Sequence, residues 1–213
     1  MNVGFALLLS ALAGLSTIIG SFLGIVIKKP GPRFMALTLG FSAGVMILVA
    51  FVELLQSGIR SVGYTPALVA FFGGLLIMFI ADASIPHDYM AEHNLPEIEK
   101  KKVNLARTGF FLALGIAIHN FPEGLAVFAG GLHNIKVGIA IAVAIALHNI
   151  PEGIAVSVPV YAATGSRRKA FLWSALSGLA EPAGAAIAAL FLMPFLNPQV
   201  LGYVLSAVAG IMV

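Results

Sequence analysis

The sequence predicts an all-α integral membrane protein, a polytopic helical bundle built around an inverted repeat. Three observations lead there. Of 213 residues, 60% are hydrophobic and only 10% charged, and the mean hydropathy is +1.01, far more apolar than a soluble domain. Apolar runs follow one another along the chain, separated by turn-forming or charged breaks. One polar motif occurs twice inside those runs, as His119-Asn120-Phe121-Pro122-Glu123-Gly124 and His148-Asn149-Ile150-Pro151-Glu152-Gly153. A pI near 9.3 would suit a nucleic-acid binder, but the basic residues lie in short clusters between the apolar runs, and no nucleic-acid partner is expected. The absence of cysteine excludes disulfides and thiolate metal sites.

A crossing needs about 20 apolar residues, and six complete runs meet that length. The first, residues 4–27, has no positive residue before Lys28; it is too long for a signal-peptide core and reads as a retained helix. Lys28-Lys29-Pro30-Gly31-Pro32 ends it. The second, 34–56, precedes Gly63-Tyr64-Thr65-Pro66, and the third, 66–90, runs into the charged stretch Glu92 to Lys102. The fourth, 107–130, is expected to stop at Gly130-Gly131. The fifth spans 135–160 and breaks at Gly165-Ser166; the sixth spans 170–194 and breaks at Asn197-Pro198. A seventh begins there and is cut off at Val213, so residues 1–213 read as a single transmembrane domain truncated within its seventh helix. A carboxylate ending inside the bilayer core would be costly, so the rest of that helix is expected beyond Val213.

Orientation follows from Lys and Arg. Ten of the twelve fall in alternate loops: Lys28, Lys29 and Arg33; Lys100, Lys101, Lys102 and Arg107; Arg167, Arg168 and Lys169. Arg60 and Lys136 are the remainder. The amino terminus is therefore expected outside. His119 comes twelve residues after Arg107, and His148 twelve after Lys136; about 18 Å of rise puts both near the middle of a core about 30 Å thick. The two helices run oppositely with matching sequence, an inverted repeat about an axis in the membrane plane, and such midplane sites on broken helices belong to secondary transporters.

The residue types at i, i+1 and i+4 have a chemical logic. His119 and Glu123 share one helix face, as do His148 and Glu152, with Asn120 and Asn149 about 100° round. Imidazole nitrogen, amide oxygen and carboxylate oxygen suit a borderline divalent metal. Pro122 and Pro151 cannot donate to the carbonyls of Ile118 and Leu147, so a kinked or partly unwound turn is expected, with a cation to satisfy it. The competing reading is a pair of kinked helices whose polar groups bond each other.

The same depth arithmetic brings in Glu181, beside Pro182 near the centre of the sixth helix, and Met46 on the second, either a weak thioether ligand or core filler. Glu53 and Asp82 lie nearer the helix ends, as pathway acids or interfacial carboxylates. One metal on His119, Glu123, His148 and Glu152 would leave Asn120, Asn149 and Glu181 for a second, the glutamates bridging. Small residues mark close helix approaches at Gly20 and Gly24, at Gly138, Ala142 and Ala146, and at Ala180, Gly184 and Ala188. The loop bearing His87, Asp88, Glu92, His93, Glu97 and Glu99 reads as a solvated charged loop, with metal collection as the other possibility.

HNFPEG on a fourth helix, HNIPEG on a fifth and SGLAEP on a sixth resemble the ZIP (Zrt/Irt-like) divalent-metal transporters, specifically the bacterial zinc-uptake branch. The resemblance covers essentially the whole chain. It implies a binuclear site from His119, Asn120, Glu123, His148, Asn149 and Glu152, joined by Glu181 and by Met46. It also implies eight helices, both termini outside, a homodimer in the cell inner membrane, and elevator-like movement of the site-bearing helices. Zn2+, and with it Fe2+, Mn2+, Co2+ or Cd2+, is then a transported substrate rather than a cofactor. Two other classes compete: an intramembrane metallohydrolase, which would need an open metal position although no HExxH is present, and a cation or proton channel using the His and Glu residues as a relay. The absence of GxxxxGK[ST] argues against a P-loop pump.

Overall fold

A computed structural model describes residues 2–27, 31–84, 97–195 and 197–213. The apolar runs become seven helices in the expected order, and no strand occurs among the described residues. They are α1 (Val3–Val26), α2 (Pro32–Val49, then a π turn at Ala50–Leu54 and a further helix at Leu55–Val62), α3 (Tyr64–Ser84), α4 (Glu97–His133), α5 (Ile135–Thr164), α6 (Arg167–Ile187, then a π turn at Ala188–Leu192 and a 3-10 turn at Met193–Phe195) and α7 (Pro198–Ile211). Among the described residues, five helices are long and apolar enough to cross a bilayer. The 37-residue α4 carries the fourth apolar run, and α7, at 14 residues, is shorter than a crossing.

Local chemistry sets the helix ends. Side chains of Asn2, Asn134, Ser166 and Asn197 accept from the backbone N–H groups of Phe5, Lys136, Lys169 and Val200, satisfying donors that a helix start leaves free. Gly63 and Gly165 turn the chain at φ +89 and +64, a region other residues rarely enter. Two expectations are corrected. α4 runs through Gly130-Gly131 and ends at His133, because these glycines pack against Gly138 rather than break the helix, and the turn falls to Asn134. α4 and α5 also stay helical through Pro122 and Pro151. Of the kinked or partly unwound turn expected at those prolines, the unwinding does not occur, and the irregular π turns lie instead in α2 and α6.

Each of α1, α4, α5 and α6 packs on the other three, forming an inner bundle. α2 flanks α5, while α3 and the end of α2 pack on α7. Phe41, Leu48, Phe72, Ile77 and Phe79 face outward from α2 and α3, as lipid-facing side chains should.

The inner bundle repeats itself in antiparallel copies. A shift of 29 residues carries the motif of α4 onto that of α5, and a shift of 164 carries Ser10-Ala11-Leu12-Ala13-Gly14-Leu15 of α1 onto Ser174-Ala175-Leu176-Ser177-Gly178-Leu179 of α6. Packing obeys both shifts. Gly124 meets the carbonyl of Glu181 and Gly184 that of Phe121; in the other half, Gly153 meets the carbonyl of Thr17 and Gly20 that of Ile150. Gly14 and Gly178 meet across the centre, where a Cβ on either would lie 2.8 or 2.9 Å from the other's carbonyl oxygen. The Gly178 carbonyl is the one that Pro182 leaves without its helical donor.

Candidate metal centre

Seven polar side chains enter the middle of this bundle from three helices: His119, Asn120 and Glu123 from α4, His148, Asn149 and Glu152 from α5, and Glu181 from α6. Asn120, Glu123, His148, Asn149 and Glu181 are fully buried and Glu152 is 8% exposed; the His119 side chain is 12% exposed. Helical spacing at i and i+4 sets the histidine and glutamate of each motif on one face. The close glycine contacts of Gly124 and Gly153 bring those faces against α6 and α1.

The groups hold one another in a defined arrangement. Glu123 Oε1 lies 3.1 Å from His148 Nε2 in a hydrogen bond between α4 and α5. His119 Nε2 lies 3.2 Å from the same oxygen but without hydrogen-bond alignment, so it has no hydrogen-bond partner among the described residues. Asn149 Nδ2 donates to Glu181 Oε2 at 2.7 Å and to the Ala13 carbonyl at 3.0 Å. Asn120 Nδ2 donates to the Ser177 carbonyl at 3.2 Å. The two asparagine-to-backbone bonds are related by the same shifts, since Asn120 maps onto Asn149 and Ala13 onto Ser177.

Each of the seven keeps one buried nitrogen or oxygen without a hydrogen-bond partner among the described residues. These are His119 Nε2, Asn120 Oδ1, Glu123 Oε2, His148 Nδ1, Asn149 Oδ1, Glu152 Oε2 and Glu181 Oε1. Buried polar atoms are normally paired, and leaving one bare in an apolar surround costs free energy. All seven can present a lone pair, which is what a dication would take up. Among the described residues, no three His, Cys, Asp or Glu side chains already stand ready to hold a metal ion. Glu123 is engaged by His148 through Oε1 and Glu181 by Asn149 through Oε2, and the second oxygen of each carboxyl group is the one left open to a cation.

Other expected residues stand elsewhere. Met46 is half-buried against the main apolar cluster. Glu53 is half-buried on the π turn of α2, and no hydrogen bond or ion pair among the described residues joins either to the seven. The side chain of Asp82, the loop residues His87, Asp88, Glu92 and His93, and the side chains of Glu97 and Glu99 lie outside the described residues.

Four hydroxyls at the bundle centre went unforeseen. Ser42 donates to the carbonyl of His148 at 3.2 Å, Ser10 to that of Glu181 at 3.3 Å and Ser174 to that of Gly153 at 3.2 Å. Thr17, the fourth, is fully buried and its Oγ1 has no hydrogen-bond partner among the described residues. The signal for the three serines was weak, a small polar residue within an apolar run. Their carbonyl partners follow only from the packing.

Comparison with known proteins agrees with this architecture. A family model described as ZIP zinc transporter matches residues 81–213. The chain is 47% identical to the zinc transporter ZupT of Corynebacterium aurimucosum, over 100% of this chain and 84% of that protein. Against ZupT of Chlorobium luteolum the identity is 50%, over 100% of this chain and 85% of the relative. Against the Escherichia coli protein of the same name it is 46%, over 97% and 81%.

Proposed function

This chain belongs to the ZIP zinc transporter family, and we propose that it carries divalent transition-metal cations across the bilayer into the cytoplasm by alternating access. Zn2+ is the principal cargo, with Fe2+, Mn2+, Co2+ and Cd2+ as further substrates, because oxygen and imidazole donors discriminate weakly among these ions. The protein is a transporter and not an enzyme. The observation that carries this reading is the set of seven unpartnered buried donor atoms on three helices of one bundle.

The proposed site is binuclear. His119, Glu123, His148 and Glu152 take one ion; Asn120, Asn149 and Glu181 take the other, with Glu123 and Glu152 bridging. Met46 completes the set as a weak thioether ligand: Ser42, one turn before it on α2, already bonds the carbonyl of His148. A buried unpaired carboxylate costs about 2.5 to 3.5 kcal/mol at the bilayer centre. Protons carry that cost while the site is empty, and arriving dications displace them. Glu53 and Asp82 serve as acids at the mouths of the pathway. The amino terminus lies outside a bacterial inner membrane, and the working unit is a homodimer.

Uptake of Zn2+ into proteoliposomes, beside His119→Ala and Glu152→Ala, tests the reading. Saturable uptake lost in both variants supports a carrier with its site on the repeated motif. Non-saturating flux would instead indicate a channel, and metal bound without flux would overturn transport.

A further inference from the structure

Nine buried side-chain nitrogens and oxygens lack a hydrogen-bond partner among the described residues. Seven belong to the proposed ligands. The other two are hydroxyl oxygens on α1, Thr17 Oγ1 and Ser21 Oγ, on a helix that supplies none of the seven ligands. The internal repeat says what Thr17 is. The shift of 164 residues that maps Gly14 onto Gly178 and Gly20 onto Gly184 maps Thr17 onto Glu181.

The packing follows that equivalence at four contacts. The backbone of Glu181 receives Gly124, and that of Thr17 receives Gly153, the same motif position. Asn149 bonds α1 through the Ala13 carbonyl, and Asn120 bonds α6 through its mate, Ser177. One bond has no counterpart. Asn149 Nδ2 holds Glu181 Oε2, whereas its mate Asn120 makes no bond to Thr17, and both Asn120 Oδ1 and Thr17 Oγ1 stay unpartnered. Thr17 Oγ1 faces the α6 backbone: a Cβ built on Gly178 would lie 3.1 Å from it. Gly178 directly follows Ser177, whose carbonyl holds Asn120.

We propose that Thr17 is a neutral oxygen ligand of the transported dication, placed opposite Glu181 and serving its release. The proposal rests on the transport reading above. α1 and α6 cross antiparallel at Gly14 and Gly178, and Thr17 and Glu181 each lie three residues beyond that crossing. They stand on opposite sides of it, about 9 Å apart along the helix axes at about 1.5 Å per residue. Of the eight equivalent positions, His119 with His148, Asn120 with Asn149, Glu123 with Glu152, and Glu181 with Thr17, only the last pair differs. A carboxylate attracts a dication by charge as well as by its lone pair; a hydroxyl offers the lone pair alone. An ion passing from the Glu181 side to the Thr17 side therefore leaves its strongest anionic neighbour for a donor it can quit, as conduction through a multi-site pathway requires. With the amino terminus outside, that direction is inward.

The experiment measures equilibrium Zn2+ binding and initial Zn2+ uptake for the full chain in proteoliposomes, with Thr17→Val, Thr17→Ser, Thr17→Glu and Glu181→Gln side by side. Valine keeps the shape of threonine and removes the oxygen, so T17V should slow uptake about tenfold, roughly one lost polar interaction, with binding changed by less than about threefold. T17S should restore the rate, and T17E should bind Zn2+ more tightly than the parent while transporting more slowly. Parental uptake by T17V, or no rescue by T17S, overturns the proposal and leaves Thr17 a packing residue. If E181Q also binds and transports normally, the site reading itself falls; if E181Q fails while T17V does not, only the Thr17 proposal does.

Discussion

Glu123 is the hinge of the site at residue scale, because one of its oxygens lies within 3.2 Å of an imidazole from each motif. Glu123→Gln keeps the size but loses the anion, so it should lower Zn2+ affinity by more than about tenfold and reduce uptake with it, measured by equilibrium binding and proteoliposome flux. Asn149 works differently: it ties Glu181 to the backbone of α1. Asn149→Ala should cost both metal binding and thermal stability, whereas Glu123→Gln should spare stability. In the proposed site Met46 contributes a soft sulfur, so Met46→Ala should lower Cd2+ uptake relative to Zn2+ in a competition assay. The gathering of the seven proposed oxygen and nitrogen ligands at the bundle centre was legible in the sequence because a charged or amide group inside an apolar run has few reasons to be there, and two copies removed chance. Thr17 was not legible, since a threonine in a membrane helix commonly bonds its own backbone. Met46 shows the limit of depth arithmetic, which fixes a level in the membrane but not which way a side chain points round the helix.

Helices meet here through glycine, and the sequence carried more of this than periodicity reveals. Gly20 and Gly24 do pack against α5, at Ile150 and Ser157, as their spacing predicts. The likeness of Ser10–Leu15 to Ser174–Leu179 was present in the letters, but its Ala, Gly, Leu and Ser are so common in membrane helices that only the shared contacts give it meaning. Pro122 and Pro151 remove donors, yet the turns stay helical, as close neighbouring helices allow inside a membrane. Gly124→Leu should therefore force α4 away from the Glu181 backbone and lower the unfolding temperature in detergent sharply. Gly40→Leu, where nothing lies within 4 Å, should leave that temperature within a few degrees.

At the scale of the whole molecule, the inner bundle is nearly the same seen from either face of the membrane, and in the proposed topology ten basic residues clustered at alternate helix connections and the helix ends beside them choose which face is which. The chain has no cysteine, so orientation can be read with single substitutions. In intact cells an impermeant maleimide should label Asn2→Cys and Asn134→Cys, and should leave Ser166→Cys unmodified; the opposite pattern would invert the proposed topology. The near-equivalence of the two halves also has a thermodynamic consequence. A carrier that dissipates no chemical fuel obeys detailed balance, so replacing one carboxylate by one hydroxyl at an equivalent position can make the two faces differ in half-saturation and maximal velocity but cannot create a one-way valve. Vesicles preloaded with Zn2+ should empty through the same protein when the outside is held metal-free, and the ratio of maximal velocity to half-saturation should agree for the two directions at zero membrane potential and equal pH on both sides.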